Sequence, residues 1–147
     1  MNATQPHAES ERNVRHASVR IDNTSQGTAL AIEARVAGTA WTRLVGLLGR
    51  SLLPPGEALV LEPCRAVHTA FMRFAIDVVF VDRRYRIVKL APALKPFRMS
   101  GRLLGDLAAI ELPSGAIAES RSAVGDQLVL TPSHLHAAGA ATGDAAA

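Results

Sequence analysis

A chain of 147 residues that is 48% hydrophobic, 20% charged and 4% aromatic has length for one domain and apolar material for one core, which excludes a wholly disordered protein. Its single cysteine excludes both an intrachain disulfide framework and a zinc site built on several cysteines. A formal charge of +3 is modest for this length, so net charge alone does not point to nucleic acid.

Residues 1–16 are polar and without period, which predicts a flexible arm ahead of a folded body spanning 17–131. The arm lacks the apolar stretch of a secretory signal, and no run of about 18 apolar residues follows, so a cytoplasmic protein is expected. Ala17–Asp22 and Ala29–Val36 read as strands around the turn formers Asn23 to Gly27. In the second, Leu30, Ile32, Ala34 and Val36 alternate with their neighbours and predict one apolar face.

Thr39 then caps a predicted helix over about 39–49, in which Trp41, Leu44, Val45 and Leu48 share a face and Arg43 and Arg50 share another. Gly46 weakens that helix unless another element approaches closely there, and Gly49 suits its left-handed end. Pro54, Pro55 and Gly56 enforce a turn, and Glu57–Glu62 reads as a short strand.

Residues 63–74 have no period and are expected as loop. Ile76–Val81 is apolar on both faces except at Asp77, as a strand in the middle of the structure requires. Asp82, Arg83 and Arg84 form a hairpin turn to Tyr85–Leu90. A long loop is predicted over 91–106, where Pro92, Pro96, Gly101 and Gly105 fall, and it is a candidate lid. Leu107–Leu112 is a buried strand, Ala116–Ser120 a single helical turn, and Gln127–Leu130 the last strand. An Ala- and Gly-rich tail over 132–147 cannot bury enough surface to order. Strands do not alternate with helices, so the expected class is mostly β: a compact, mainly antiparallel barrel-like sheet with one packed helix.

Polar residues inside apolar elements are the candidate chemistry. Asp77 needs a partner, because an unpaired buried carboxylate costs several kcal/mol. Arg43, Arg50, His68 or backbone N–H groups of the preceding turn would serve. It is either a clamp for the turn at 71–75 or a site carboxylate, and Glu111 has the same dual character. Cys64 and His68 are four apart, but no oxyanion-hole pattern accompanies them, so thiol catalysis is not favoured. The phosphate-loop, dinucleotide and serine-hydrolase motifs are absent, and no cofactor or metal is implied. Between Asp82 and Asp106 the chain carries Arg83, Arg84, Arg86, Lys89, Lys95, Arg98 and Arg102 without one acid, a solvated run or a contact for an acidic partner.

Three ordered motifs resemble one family. Arg43-Leu44-Val45-Gly46-Leu47-Leu48-Gly49-Arg50 resembles its pattern R-x-x-GLMGR, with Leu48 where methionine is usual. Val67-His68-Thr69 leads through Met72 to Ile76-Asp77-Val78-Val79-Phe80-Val81-Asp82, which resembles M-x-F-x-I-D-V-x-F-x-D. Glu111-Leu112-Pro113-Ser114-Gly115, followed by Gly125-Asp126, resembles its E-L-P-x-G…GD ending. The family is domain of unknown function 192. The resemblance covers about residues 29–131 and implies a β-rich domain with a helix packed on it. It implies that Arg43, Gly46, Gly49, Arg50, His68, Thr69, Met72, Asp77, Glu111, Gly115, Gly125 and Asp126 occupy motif positions, and it carries over no catalytic role.

The residues favour a small binding module in which Arg43, Arg50, His68, Thr69, Asp77 and Glu111 line a polar pocket for an anionic small molecule or an acidic peptide. Three alternatives stay open: a hydrolase or transferase using His68 as base with Asp77 orienting it, a nucleic-acid or acidic-protein contact through 83–102, and motif residues that only hold turns together. Whether the protein is an enzyme is left open, with binding favoured over catalysis.

Overall fold

Alternating and doubly apolar segments become strands. The computed structural model describes residues 18–37, 52–64, 66–69, 72–101 and 107–134. In chain order these form β1 (Ser18–Asn23), β2 (Thr28–Ala37), β3 (Glu57–Leu61), β4 (Ala66–His68), β5 (Ile76–Val81), β6 (Ile87–Leu94), β7 (Met99–Gly101), β8 (Ala108–Pro113), the short helix α1 (Ala116–Glu119) and β9 (Leu128–Pro132).

Seven strands make one sheet in the order β6-β5-β8-β3-β2-β1-β9, and β4 pairs with β7 in a second, two-stranded sheet. All these pairings are antiparallel except β2 with β3. The large sheet curls until its two end strands meet at one corner, where Arg86 bridges Gln127. There Ile87 N donates to Asp126 O at 2.9 Å and Leu128 N to Tyr85 O at 2.9 Å. The result is a half-barrel, consistent with the mostly β, mainly antiparallel barrel-like sheet expected from strands that do not alternate with helices.

Side chains alternate between two faces, and each face has its own apolar cluster. The first holds Ile21, Leu30, Ala34, Val60, Val79, Val81, Ile110, Leu112 and Leu128, and Ile117 of α1 packs into it. The second holds Leu59, Leu61, Ile76, Val78, Phe80 and Ala109, with Cys64, Val67 and Met72 from the segment that includes β4. Every residue of β5 is buried because clusters lie on both sides of it. That agrees with its doubly apolar sequence.

Several boundaries differ from the sequence reading. In β2, Ile32 and Val36 are exposed, while Leu30 and Ala31 are both buried. Two irregularities in its pairing with β1 break the expected alternation, because an extra residue on one strand switches which face its neighbours take. Part of the predicted loop at 63–74 is strand β4, and part of the predicted loop at 91–106 is the end of β6 together with β7. Pro92 is compatible with β6 because β6 is an end strand of the sheet, where one side needs no donor. Tyr85 sits in the hairpin turn at φ 58 rather than in the strand. Its hydroxyl donates to Glu62 Oε2 at 3.0 Å. Burial, then that contact with Glu62, pushes the phenol above its ordinary pKa. The predicted helix over 39–49, with Gly46 and Gly49, lies outside the described residues.

Candidate functional site

Of the six candidate site residues, Arg43 and Arg50 lie outside the described residues. The other four occupy three kinds of environment.

Asp77 is 1% exposed and points to the first face of β5. Its Oδ1 accepts from Ala93 N at 2.8 Å, and its Oδ2 from Gly115 N at 3.1 Å and Ile117 N at 2.9 Å. Three backbone donors therefore meet the buried carboxylate, which is how such a group avoids an unpaired cost. The donors come from β6 and from the turn into α1, not from the turn before β5 and not from the 71–75 segment. Asp77 thus ties β6, β5 and α1 together. Gly115 takes φ 100 in that turn, a left-handed conformation that glycine adopts without strain.

Thr69 is fully buried at the end of β4. Its Oγ1 donates to Lys95 O at 2.6 Å and accepts from Arg98 N at 2.9 Å. Its backbone N–H donates to Arg98 O at 2.8 Å, and its carbonyl accepts from Phe97 N at 3.0 Å and Met72 N at 3.2 Å. Thr69 thus pins the 95–98 turn to β4, and Met72 beside it is buried in the second cluster.

His68 is exposed and lies opposite Met99 in the two-stranded sheet. It is not among the hydrogen-bond partners of Asp77. Cys64 is buried, and its Sγ donates to Ala66 O at 3.2 Å.

Glu111 is different. It sits on β8 between β3 and β5, opposite Leu59 on one side and Val78 on the other. Both neighbours belong to the second cluster, as does Ala109 two residues earlier on the same strand. Glu111 is only 7% exposed, yet no hydrogen bond or ion pair joins its carboxyl to a described residue. Burial among apolar groups disfavours the charged form and pushes its pKa up to about 7. Asp77 and Glu111 lie on opposite faces of the sheet, since Asp77 is paired with Leu112 and Glu111 with Val78.

A polar cluster that the sequence reading missed joins the corner where the half-barrel closes. Asn23 is fully buried, and its Nδ2 donates to Ser122 Oγ at 3.0 Å and Asp126 Oδ2 at 2.9 Å. Asp126 Oδ2 also accepts from Gln26 Nε2 at 3.0 Å and Ala123 N at 2.9 Å. Asn23 and Ala123 hold the Asp126 carboxyl below the ordinary carboxylate range. Only Asp126 carried a signal, through its Gly125-Asp126 motif, with Gly125 at φ 95. Asn23 was visible only as a turn former.

The basic run is spread over several places, with Lys89 on β6 opposite Phe80. Arg83, Arg84 and Arg86 are exposed at the β5–β6 turn, Lys95 and Arg98 are exposed at the turn that Thr69 pins, and Arg102 lies outside the described residues. Among the described residues no group of three or more His, Cys, Asp or Glu is placed to hold a metal ion. Among them, too, no helix is long and apolar enough to cross a membrane.

Comparison with known proteins agrees with the three sequence motifs. The model of the domain of unknown function 192 family, described as uncharacterized ACR, matches residues 21–130. A UPF0127 protein from Pyrococcus furiosus is 32% identical over 111 residues, which cover 72% of this chain and 93% of that relative. Two solved structures share the fold. One is a protein of unknown function from Novosphingobium aromaticivorans, with TM-score 0.66, 20% identity, and 76% and 83% of the two chains covered. The other is a proposed transcription regulator from Sinorhizobium meliloti, with TM-score 0.67, 18% identity, and 78% and 92% covered.

Proposed function

The chain belongs to the domain of unknown function 192 family, and from its own geometry we propose that it is a small binding module for an anionic small molecule or the acidic end of a peptide. The carrying observation is Glu111, a residue 7% exposed in an apolar face, whose carboxyl has no partner among the described residues. A carboxyl set among apolar side chains and bonded to no described residue is a place where a ligand atom could make a polar contact. Its cross-strand neighbours Leu59 and Val78 are apolar, and Arg35 stands in the same cross-strand row, one strand beyond Leu59. Arg43 and Arg50, candidate pocket residues in the sequence, are the further cationic groups of this proposal.

A second reading applies to other motif residues. The polar side-chain atoms of Thr69, Asp77 and Asp126 hold backbone and neighbouring side chains, which favours an architectural role for these three. An acid–base pair of His68 with Asp77 has no such support, because three backbone donors fill the Asp77 carboxylate.

The test is a thermal-shift screen of carboxylates, phosphates and nucleotides on the wild type, Arg50→Ala and Glu111→Ala. A ligand at 100 times its Kd adds about 2.7 kcal/mol of stability. Stabilisation by an anion that is lost in Glu111→Ala supports the module. No shift from any anion, or equal shifts in all three proteins, refutes it.

A further inference from the structure

We propose that the two-stranded sheet of β4 and β7, with the 95–98 turn beside it, is a surface that adsorbs the protein to an anionic lipid bilayer. The inference goes beyond the reading above and does not depend on Glu111. Val67 packs into the second cluster, so alternation turns its neighbours Ala66 and His68, and Met99 opposite His68, away from that cluster. All three are exposed, Met99 by 59%, and Phe97 in the adjoining turn is 64% exposed. Phe97 also takes φ 57, a left-handed conformation that bulky side chains rarely adopt. Buried Thr69 holds it there. The Thr69 carbonyl accepts from Phe97 N at 3.0 Å, and its Oγ1 bonds Lys95 O and Arg98 N on either side. The turn is thus fixed from inside the protein while its aromatic side chain faces solvent, the kind of backbone strain that accompanies functional surfaces.

The charge on the segments that build this surface has one sign. The stretches 63–76 and 83–105, which supply both strands and the turn, contain no Asp or Glu. Arg73, Lys95 and Arg98 are exposed, and none of them forms an ion pair with a described residue. Arg98 Nη1 donates to Phe97 O at 3.3 Å, which keeps its guanidinium beside the aromatic residue. The undescribed residues of the same two stretches add Arg65 and Arg102 to the sequence and no acid. Exposed apolar side chains among cations match a partner that is apolar beneath an anionic layer. A bilayer containing acidic lipids supplies both, with acyl chains for Phe97 and Met99 and head groups for Arg73, Lys95 and Arg98. Nucleic acid would answer the cations and stack on Phe97, but its phosphate backbone gives Met99 no apolar contact. A second copy docking through the same face would set cation against cation.

The experiment is co-sedimentation of the full chain with vesicles of phosphatidylcholine alone and of phosphatidylcholine with phosphatidylserine, at low salt and in about 0.5 M sodium chloride. The chain should sediment with the acidic vesicles at low salt, stay in solution with phosphatidylcholine, and be released by salt, which screens the attraction. Lys95→Gln combined with Arg98→Gln should weaken binding about fivefold for each charge removed. Phe97→Asn should weaken it about tenfold through loss of the inserted ring, and it keeps the fold because asparagine accepts the left-handed conformation. Absence of sedimentation with acidic vesicles, equal binding to both kinds of vesicle, or variants that bind as the wild type does would each overturn the proposal. So would salt-sensitive binding of a single-stranded oligonucleotide without binding of vesicles, which would make this face a nucleic-acid contact.

Discussion

Replacing Glu111 with glutamine should stabilise the protein at alkaline pH and leave it nearly unchanged in acid. In the folded chain the carboxyl titrates near 7, against 4.5 for the free side chain. Below pH 4.5 it is neutral in both states and contributes no pH dependence. Between the two values the folded state keeps a proton that the unfolded state has released, so stability falls as pH rises. Above pH 7 the full difference is felt, because a charge must be kept in an apolar face. At 1.36 kcal/mol per unit, the ceiling is roughly 3 kcal/mol. Glutamine has nearly the same shape and never carries that charge. Urea denaturation of both proteins at pH 5 and pH 8.5 checks the argument. With the denaturant dependence usual for a domain of this size, the alkaline midpoint of the variant should lie roughly 1–2 M above that of the wild type. The acid midpoints should nearly coincide. The same difference at both pH values, or none at pH 8.5, would show that Glu111 is not kept neutral by its surroundings.

The clamps give further tests. Asp77→Ala leaves three backbone N–H groups, that of Ile117 buried, without their acceptor and should cost about 2–4 kcal/mol in chemical denaturation, whereas an exposed acid such as Glu119 should be nearly silent. Thr69→Val keeps the shape but removes the hydroxyl that bonds Lys95 O and Arg98 N, so it should cost about 1–3 kcal/mol and speed amide exchange selectively at Arg98. Asp126 has a lowered pKa, so its sign is opposite to that of Glu111: it stabilises above the ordinary carboxylate range, and that contribution is lost as pH falls through its folded value. Asp126→Asn should therefore flatten the acid limb of the stability profile below about pH 4, measured by thermal melts across that range.

The elements legible in the sequence were those with a strong hydrophobic pattern. Ile76–Val81 is strand over its full expected length because both of its faces are apolar and both are covered. β8 was visible for the same reason, with Glu111 marked as its one charge. β4 was not, because three residues carry no period. The end of β6 was hidden by Pro92, which reads as a loop signal although an end strand tolerates it. The bulges of β2 switched which of its residues are buried, and no local pattern announces an extra residue in a ladder. For the site, residue types were legible and partners were not. Asp77 and Glu111 looked alike as lone charges in apolar strands. Only the fold distinguishes them, by placing three backbone donors against Asp77 and apolar groups against Glu111. Asn23 and Asp126 are 103 positions apart, and their hydrogen bond depends on β1 pairing with β9, which sets Asn23 opposite Leu128.

The most direct measurement is the titration of the Glu111 side-chain carboxyl by carbon-13 NMR. The account predicts a midpoint near 7, set by burial among apolar groups. A midpoint in the ordinary glutamate range of about 4.3 would contradict it.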